Sequence, residues 1–475
     1  MITTDGGLDL DTIAAIATPS GRGGVSIVRI SGPKAWLIAQ QITGKSPQPR
    51  VPTVSQFKDA AGAIVDEGIA LLFRGPASFT GEDVAELHGH GGILVTQLLL
   101  AACLDRGARL ARPGEFSERA FLNNKLDLTQ AESLADLIDA RTEQAARQAS
   151  ASLRGVFSDT INTLNEKVIA LRVYVEAAID FPEEDIDFLT EGKVSESLDS
   201  LKAELTGVIE QARQGAIMGR GARVVLTGAP NAGKSSLLNC LAKNAVAIVT
   251  DVPGTTRDVI KQSITLGGVA IDLSDTAGIR EAVDAIEQEG INRAKTELDS
   301  ADMVIEVIDD NSPEHVAQLI EKQLIEEQRR PVIQVFNKID LSGRPAGRWF
   351  SDSVEIDSDQ FTAELPQADT TTITIALSAS TGEGVPALEQ AILENLGMSD
   401  AASATPFSAR ERHVTCLQNA SALLDGATTR FLESGAGELL AEDLRDVHHT
   451  LSEITGEFGA DALLGEIFSS FCIGK

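Results

Sequence analysis

Residues 228–235 read GAPNAGKS, a G-x-x-x-x-G-K-S loop between the apolar run RVVLT (223–227) and a helical pattern that begins at Lys234. A strand before and a helix after turn this short pattern into a phosphate site, because successive backbone N–H groups and a helix N-terminus face the anion. Lys234 supplies a point charge for the β and γ phosphates, and the Ser235 hydroxyl can ligate magnesium. Asn231, Ala232, Gly233 and Ser236 belong to the same cradle.

Further segments follow in an order that suits one nucleotide. DTAG (275–278) comes after a strand pair turning at Gly267 and Gly268; it puts Asp275 at a strand end near the metal, with Thr276 and Ala277 beside it, and Gly278 lets the backbone approach the γ-phosphate. Upstream, TDVPGTTRD (250–258) offers Thr255 or Thr256 as a hydroxyl ligand, Gly254 gives the segment freedom to switch, and Thr250, Asp251, Val252 and Pro253 are expected nucleotide neighbours. NKID (337–340) ends the apolar run VIQVF, where Asp340 can accept both N1–H and the exocyclic amine of guanine, with Asn337 and Lys338 alongside. Adenine lacks that donor pair. Ser378 and Ala379 close ITIALSA, where a backbone N–H can reach the guanine oxygen. Together these segments select GTP over ATP.

Water activation is less legible. Where some small GTPases carry a glutamine, this chain has Ile279, which neither donates nor accepts; Glu281, Asp284, Glu287 and Glu289 all follow, and the residues alone do not choose among them. Transition-state charge could be met by Arg257, or by a monovalent cation caged by Asn231 and the carbonyls of residues 250–255.

The elements that must position these groups fall into segments. At 475 residues the chain exceeds one ordinary core and implies about three domains. Residues 1–125 alternate β-like runs such as GVSIVRI and GIALLF with helical patterns, an α/β unit. Residues 126–222 turn helical, with Leu164, Val168, Leu171 and Val175 at helical spacing, and FPEEDIDF (181–188) reads as an acidic turn. Residues 223–396 alternate strand, loop and helix, the pattern of a parallel sheet with crossover helices. Residues 397–475 return to helix through Leu439, Leu444, Val447 and Leu451. The nucleotide unit is therefore expected as an insertion into a discontinuous helical domain, and residues 342–372 as a surface excursion.

Composition narrows the partners. A net charge of -30 leaves only local surfaces for direct nucleic-acid binding, so a partner is expected to hold most of any RNA. Cys103, Cys240, Cys416 and Cys472 form no C-x-x-C pair, which suggests neither zinc nor a disulfide framework. The acidic amino terminus lacks the basic region of a targeting peptide, so a cytoplasmic protein is expected. The apolar run 93–104 is short of the ~20 residues a bilayer crossing needs and reads as a buried helix. His88 and His90 in LHGHGG read as packing or turn residues of a glycine loop, with no metal assigned.

Taken together, GAPNAGKS, TDVPGTTRD, DTAGIRE and the terminal FCIGK, with ATPSGRGGVSIVRISG, FTGEDVAELHGHGG, RPGEFSERAFLNNKLDLTQAE and FPEEDIDF, give a chain that resembles the tRNA-modification GTPase family MnmE, also called TrmE, along its whole length. The resemblance implies an α/β folate-binding and dimerising N-terminal domain, a discontinuous α-helical domain and an inserted Ras-like P-loop G domain. It implies a potassium-dependent GTPase that acts with an FAD- and NADH-using partner in a heterotetramer or larger complex. Together they would install aminomethyl or carboxymethylaminomethyl groups on C5 of the wobble uridine of certain tRNAs, with the carbon drawn from a methylene-tetrahydrofolate; the pocket would take that or a 5-formyl-tetrahydrofolate. By the same resemblance Asn231, Thr250, Val252 and Thr255 would hold K+, Ser235 and Thr256 Mg2+, and Glu287 would orient the attacking water. Arg29, Glu86 and Lys125 would contact the folate, and Cys472, in a tail expected to be mobile, would face its pocket. A homodimer through the N-terminal domain is implied, and no membrane. The competing expectation is a ribosome-assembly or signalling GTPase, which would share the G domain and bind no folate.

Overall fold

Short β-branched runs and glycine turns at the start of the chain build a six-stranded sheet from β1 (Ile13–Ile16), β2 (Gly23–Ser31), β3 (Thr53–Lys58), β4 (Ile64–Phe73), β5 (Val84–Gly91) and β6 (Arg109–Leu110). This computed structural model describes residues 11–180, 193–244, 246–247, 261–275, 298–311, 331–349, 372–398, 405–457, 461–469, 471 and 474. The strand order is β3-β4-β5-β2-β1-β6, with β6 joining β1 in parallel. Side chains alternate across a strand, so β1 divides its residues between two cores. Ala14 packs with Val28, Ile30, Leu72 and Leu87 against α1 (Ala35–Thr43) and α2 (Ile93–Leu104). Ile13 and Ala15 face the other way, onto Ala111, Phe79 and Phe116 of α3 (Glu115–Leu122).

Two expectations change here. The apolar run 93–104 is a helix but not a buried one: Thr96, Leu99, Ala102 and Cys103 face the sheet, while Ile93, Leu94 and Leu98 are exposed. A helix packed on a sheet buries only the stripe that repeats every 3.6 residues. LHGHGG is no loop; residues 87–91 form the end of β5 and Gly92 caps the next helix, with glycine needed at Gly91, where a Cβ would strike the Gly23 backbone.

Beneath α3 lies a buried charge cluster. Arg119 donates to Asp11, to Glu82 and, at 3.1 Å, to Glu115, and Arg109 donates to Asp11 and, at 2.5 Å, to Glu115. Glu115 is 1% exposed and also accepts the Arg112 backbone N–H. Burial pushes its carboxyl up, but the Arg109 and Arg112 hydrogen bonds outweigh this and bring it from 4.5 down to about 2.

The helical stretch resolves into α4 (Leu128–Asp139), α5 (Glu143–Leu153), α6 (Val156–Asp180) and α7 (Lys193–Arg220). Leu164, Val168, Leu171 and Val175 form the buried seam of α6. FPEEDIDF lies outside the described residues.

An eight-stranded sheet follows: β7 (Ala222–Thr227), then α8 (Lys234–Asn244), β8 (Val246–Ala247), β9 (Lys261–Leu266), β10 (Val269–Asp275), β11 (Met303–Asp309), β12 (Val332–Asn337), the short α9 (Ile339–Ser342), β13 (Gly347–Trp349), β14 (Thr372–Ala376) and α10 (Val385–Asn395). The order is β13-β14-β12-β11-β7-β10-β9-β8, with β14, β12, β11, β7 and β10 parallel. Residues 347–349 of the expected surface excursion form the edge strand β13, antiparallel to β14; residues 350–371 lie outside the described residues.

The chain then returns to helix in α11 (Glu411–Ser434), α12 (Gly437–Thr455) and α13 (Asp461–Ser469). On α12 it is Leu440 that joins Leu444, Val447 and Leu451 in the buried stripe, while Leu439 is exposed. Asn165 of α6 donates to Ser452 of α12 at 3.1 Å inside that helical core. Helix α13 seats on α3 and α4: Phe468 packs with Phe121, Phe471, Leu128 and Ala131, and a Cβ at Gly114 would strike the Phe468 carbonyl.

The chain divides into two compact units, Met1–Ala135 with Ser152–Glu204 and Cys416–Lys475, and Asp136–Ala151 with Leu205–Thr415. The second is thus enclosed in sequence by the first.

Glu115→Gln leaves Arg109 and Arg119 short of a buried counter-charge and is expected to cost about 3 kcal/mol at pH 7. Because the folded carboxyl titrates below its unfolded value, wild type loses this advantage as pH falls from 4.5 toward about 2, so the gap between the two proteins should narrow. Denaturant unfolding followed at pH 7 and pH 3.5 checks it; an equal gap at both would refute the assignment.

Candidate functional site

The parallel strands of the second unit end along one edge, where open α/β sheets bind ligands. The phosphate loop leaves β7 there. Gly228 (φ +133) and Gly233 (φ +98) take backbone angles that side chains resist, and both are closely approached: a Cβ would collide with the Val307 carbonyl oxygen at the first and with Nδ2 of Asn337 at the second. Asn231 is also left-handed, at φ +66, and exposed. Lys234 opens α8 nearly buried, its Nζ donating to the Gly228 carbonyl at 2.8 Å and the Ala229 carbonyl at 3.0 Å. Ser235 and Ser236, in the same first turn, are exposed. The loop is thus curled around its own lysine, with hydroxyls presented outward at a helix N-terminus.

The NKID segment is joined to it directly. Asn337, 2% exposed at the end of β12, donates from Nδ2 to the Ala232 carbonyl at 2.9 Å and accepts the Ala379 N–H on Oδ1 at 3.0 Å. Its amide therefore links the phosphate loop to the segment after β14. Lys338 (φ +69) donates to Asp309 at the end of β11 at 2.7 Å. Burial alone would raise the Asp309 carboxyl, and the Lys338 hydrogen bond instead holds it below its ordinary value. Asp340 is exposed, and its Oδ1 accepts the hydroxyl of the fully buried Ser378 at 2.6 Å. Ser378 Oγ in turn accepts the Thr381 N–H at 3.2 Å. An exposed carboxylate oriented from beneath suits the paired donors of guanine.

Sequence reasoning placed Asn337, Lys338, Asp340, Ser378 and Ala379 together, and the structure brings them together. It missed the supporting roles: the two-loop link of Asn337, the Asp309 anchor and the Ser378 hydroxyl. Only the register of β11, β12 and β14 could have revealed them. Asp275 ends β10 beside Leu226, two residues before the loop. Thr250, Asp251, Val252, Pro253, Gly254, Thr255, Thr256, Arg257, Thr276, Ala277, Gly278, Glu287 and Cys472 lie outside the described residues.

In the N-terminal unit, Arg29 and Glu86 stand opposite each other on β2 and β5 and pair at 3.0 Å. The second Glu86 oxygen meets Nε2 of His88 at 3.1 Å. The Arg29 guanidinium lies 5.3 Å from the Phe79 ring and 5.8 Å from the Phe116 ring. A half-buried cation, carboxylate and imidazole beside two aromatic rings can receive a flat heterocycle with mixed donors and acceptors. Lys125 is exposed and donates to the Pro76 carbonyl at 3.0 Å. His90, expected as a packing or turn residue, is an exposed strand residue with Nδ1 2.7 Å from Asp66.

Flanking Cys472 in sequence, Phe471 is packed on α13 and Gly474 is buried so closely on β1 that a Cβ would strike the Ile16 carbonyl. These two tail residues are packed, and Cys472 itself lies outside the described residues. Cys103 is a packed thiol, which burial pushes up to about 12. Among the described residues no group of three or more histidines, cysteines or carboxylates is arranged to hold a metal, and no helix is long and apolar enough to cross a membrane.

Two family models match the chain: the MnmE helical domain over residues 128–472 and the GTP-binding protein TrmE N-terminus over residues 12–125. A tRNA modification GTPase MnmE from Pseudomonas syringae pv. tomato is 51% identical over 98% of this chain and 99% of its own length. One from Nitrosococcus oceani is 52% identical over 98% of this chain and 97% of its own. Among solved structures, the G domain of the T. maritima FeoB iron transporter is 24% identical over 37% of this chain and 98% of its own, at a TM-score of 0.25, a likeness too slight to carry an argument.

Asn337→Ala leaves the Ala232 carbonyl and the Ala379 N–H without their partner, at about 1–3 kcal/mol each. A drop of ten- to a hundredfold in GTP affinity is expected, together with a lower melting temperature, in a fluorescent-nucleotide titration and a thermal melt. Unchanged affinity would show that the link does not shape the site.

Proposed function

The chain belongs to the MnmE (TrmE) family, and we propose from this membership that it is a GTPase acting in tRNA modification. The observation that carries the GTPase reading is the Asn337 amide, which ties the lysine-bearing phosphate loop to the segments bearing Asp340 and Ser378. Phosphate and base contacts are then held as one rigid template.

In this reading Lys234 and the first turn of α8 bind the phosphates, Asp340 and the Ala379 N–H read guanine, and Asp275, Thr276, Ala277 and Gly278 sit at the γ-phosphate. Ser235 with Thr256 would hold Mg2+, whose preference for hard oxygen donors fits an exposed hydroxyl at a helix N-terminus. Asn231, with Thr250, Val252 and Thr255, would hold K+; its left-handed backbone and exposure fit a side-chain oxygen turned outward at the loop. The potassium charge would stand where other GTPases use an arginine finger. Glu287 orients the attacking water.

Arg29, Glu86 and Lys125 would bind a tetrahydrofolate derivative, which supplies a one-carbon unit. The aromatic-flanked Arg29–Glu86 pair offers the charge and stacking a pterin requires. Cys472, between the anchored Phe471 and Gly474 in sequence, works at that pocket. We assign residues 1–125 to folate binding and homodimerisation, 126–222 and 397–475 to the helical domain, and 223–396 to the G domain. An FAD- and NADH-using partner completes the modification of C5 of the wobble uridine and holds most of the tRNA.

Replacing K+ by Na+ is expected to slow GTP turnover at least about tenfold. Asn231→Ala should erase the difference between the two salts while keeping nucleotide binding. Equal turnover in both salts for the wild-type chain would overturn the potassium assignment. Separately, Arg29→Ala should lose about tenfold or more in affinity for 5-formyl-tetrahydrofolate, since it removes a charged hydrogen-bond donor, and GTP turnover should not change. Full folate affinity in that variant would place the pocket elsewhere.

A further inference from the structure

We propose that Arg344 is a positioning residue for guanine recognition: with Asp310 it fixes the far end of the turn that presents Asp340 to the base. The inference rests on the reading above that Asp340 meets guanine, and goes beyond it by naming what holds the carboxylate in place.

Asp340 sits in α9, a single helical turn of four residues. One turn has too few internal hydrogen bonds to be stable alone, so its orientation must come from outside. Two consecutive carboxylates at the end of β11 supply it. Asp309 receives Lys338 at the front of the turn, at 2.7 Å. Asp310, whose side chain is 3% exposed, takes the back: it accepts the Ser342 hydroxyl and both Nε and Nη2 of Arg344, at 3.0 and 2.7 Å. The Asp310 N–H donates to the Asn337 carbonyl at 2.9 Å, so this carboxylate is itself placed by the strand that leads into the turn.

Arg344 is more than a surface counter-charge. Its guanidinium lies 4.6 Å from the Phe336 ring, on β12, and 5.8 Å from the Trp349 ring, on the edge strand β13, while its edge forks onto both Asp310 oxygens. Only a planar cation can stack and fork at once. An exposed ion pair of movable side chains fixes little, whereas here the acid is enclosed and the cation is bounded by rings on two strands. Gly343 (φ +78), between Ser342 and Arg344, closes the turn, its N–H donating to the Ile339 carbonyl at 2.8 Å. The chain from Lys338 to Arg344 is therefore anchored at both ends to the end of β11, with Asp340 between the anchors and the Ser378 hydroxyl on its Oδ1. A carboxylate that must meet two donors of one base tolerates little displacement, so loosening an anchor should be felt at the base and not at the phosphates.

The test uses the full-length chain with GDP and IDP, which differ by the exocyclic amine, in a competition titration against a fluorescent nucleotide, alongside GTP turnover. Wild type should prefer GDP about tenfold or more, the worth of a hydrogen bond to a carboxylate. Arg344→Ala should bind GDP about tenfold more weakly and IDP only about threefold more weakly, so that the preference narrows. Its KM for GTP should rise while kcat at saturation matches wild type. Arg344→Lys, which keeps the charge but neither the fork nor the flat face, should recover only part of the loss. The proposal is overturned if Arg344→Ala binds both nucleotides like wild type, if it weakens both equally, if kcat falls as far as affinity, or if Arg344→Lys is indistinguishable from wild type. Should Arg344→Ala not fold, the preference measured in Arg344→Lys carries the test. Asp340→Ala separates the two claims. An unchanged preference in that variant would sink the reading that Asp340 meets the base, whereas a lost preference there with an intact one in Arg344→Ala would sink only the role of Arg344.

Discussion

A single buried amide holds the nucleotide template together. Asn337 is almost fully enclosed and has one donor and one acceptor committed, to the Ala232 carbonyl on one side and the Ala379 N–H on the other. A buried backbone group without a partner is costly, so each loop is held to the other by the need to keep those groups satisfied. Gly233 is glycine for the same reason, since any side chain there would displace the amide. Lys338 on Asp309 and Asp340 on Ser378 extend the arrangement to two more strand ends. Phosphate charge and base specificity thus become properties of one sheet edge.

The N-terminal unit solves a comparable problem with charge. Arg109 and Arg119 share Asp11, Glu82 and Glu115 beneath α3, and the cluster is tolerable inside the protein because each carboxylate is paired and hydrogen-bonded. Helix α3, fixed from below in this way, carries Phe116 to the Arg29 guanidinium and Phe121 to Phe468. One helix therefore carries both a ring beside Arg29 and the seat of the last helix. The tail follows it back, to Gly474 against β1. The first strand and the last residues of the chain belong to the same unit.

Local patterns carried far in this chain. The seam of α6, the strands GVSIVRI and RVVLT, the turn at Gly267 and Gly268, and the phosphate loop were legible because period, turn chemistry and motif spacing are properties of adjacent residues. Reading failed where the neighbour decides. The run 93–104 was apolar all round, yet only one stripe meets the sheet. LHGHGG carried loop residues, yet a partner strand drew it into β5. Leu439 and Leu440 both suit a helix stripe, and packing against α6 selected the second.

The sequence by itself determined which motifs stand in the chain and in what order, the phosphate loop, then DTAG, NKID and the segment ending at Ala379, because residue types and motif spacing are written locally. Only the tertiary structure decided how those residues are supported. That Asn337 is a link between loops, that Ser378 works through its hydroxyl, and that Arg29 stands between Glu86 and two aromatic rings all depend on strand register and on contacts between residues tens to more than a hundred positions apart. No local pattern encodes such contacts, since they are fixed by which faces find burial together when the sheets close.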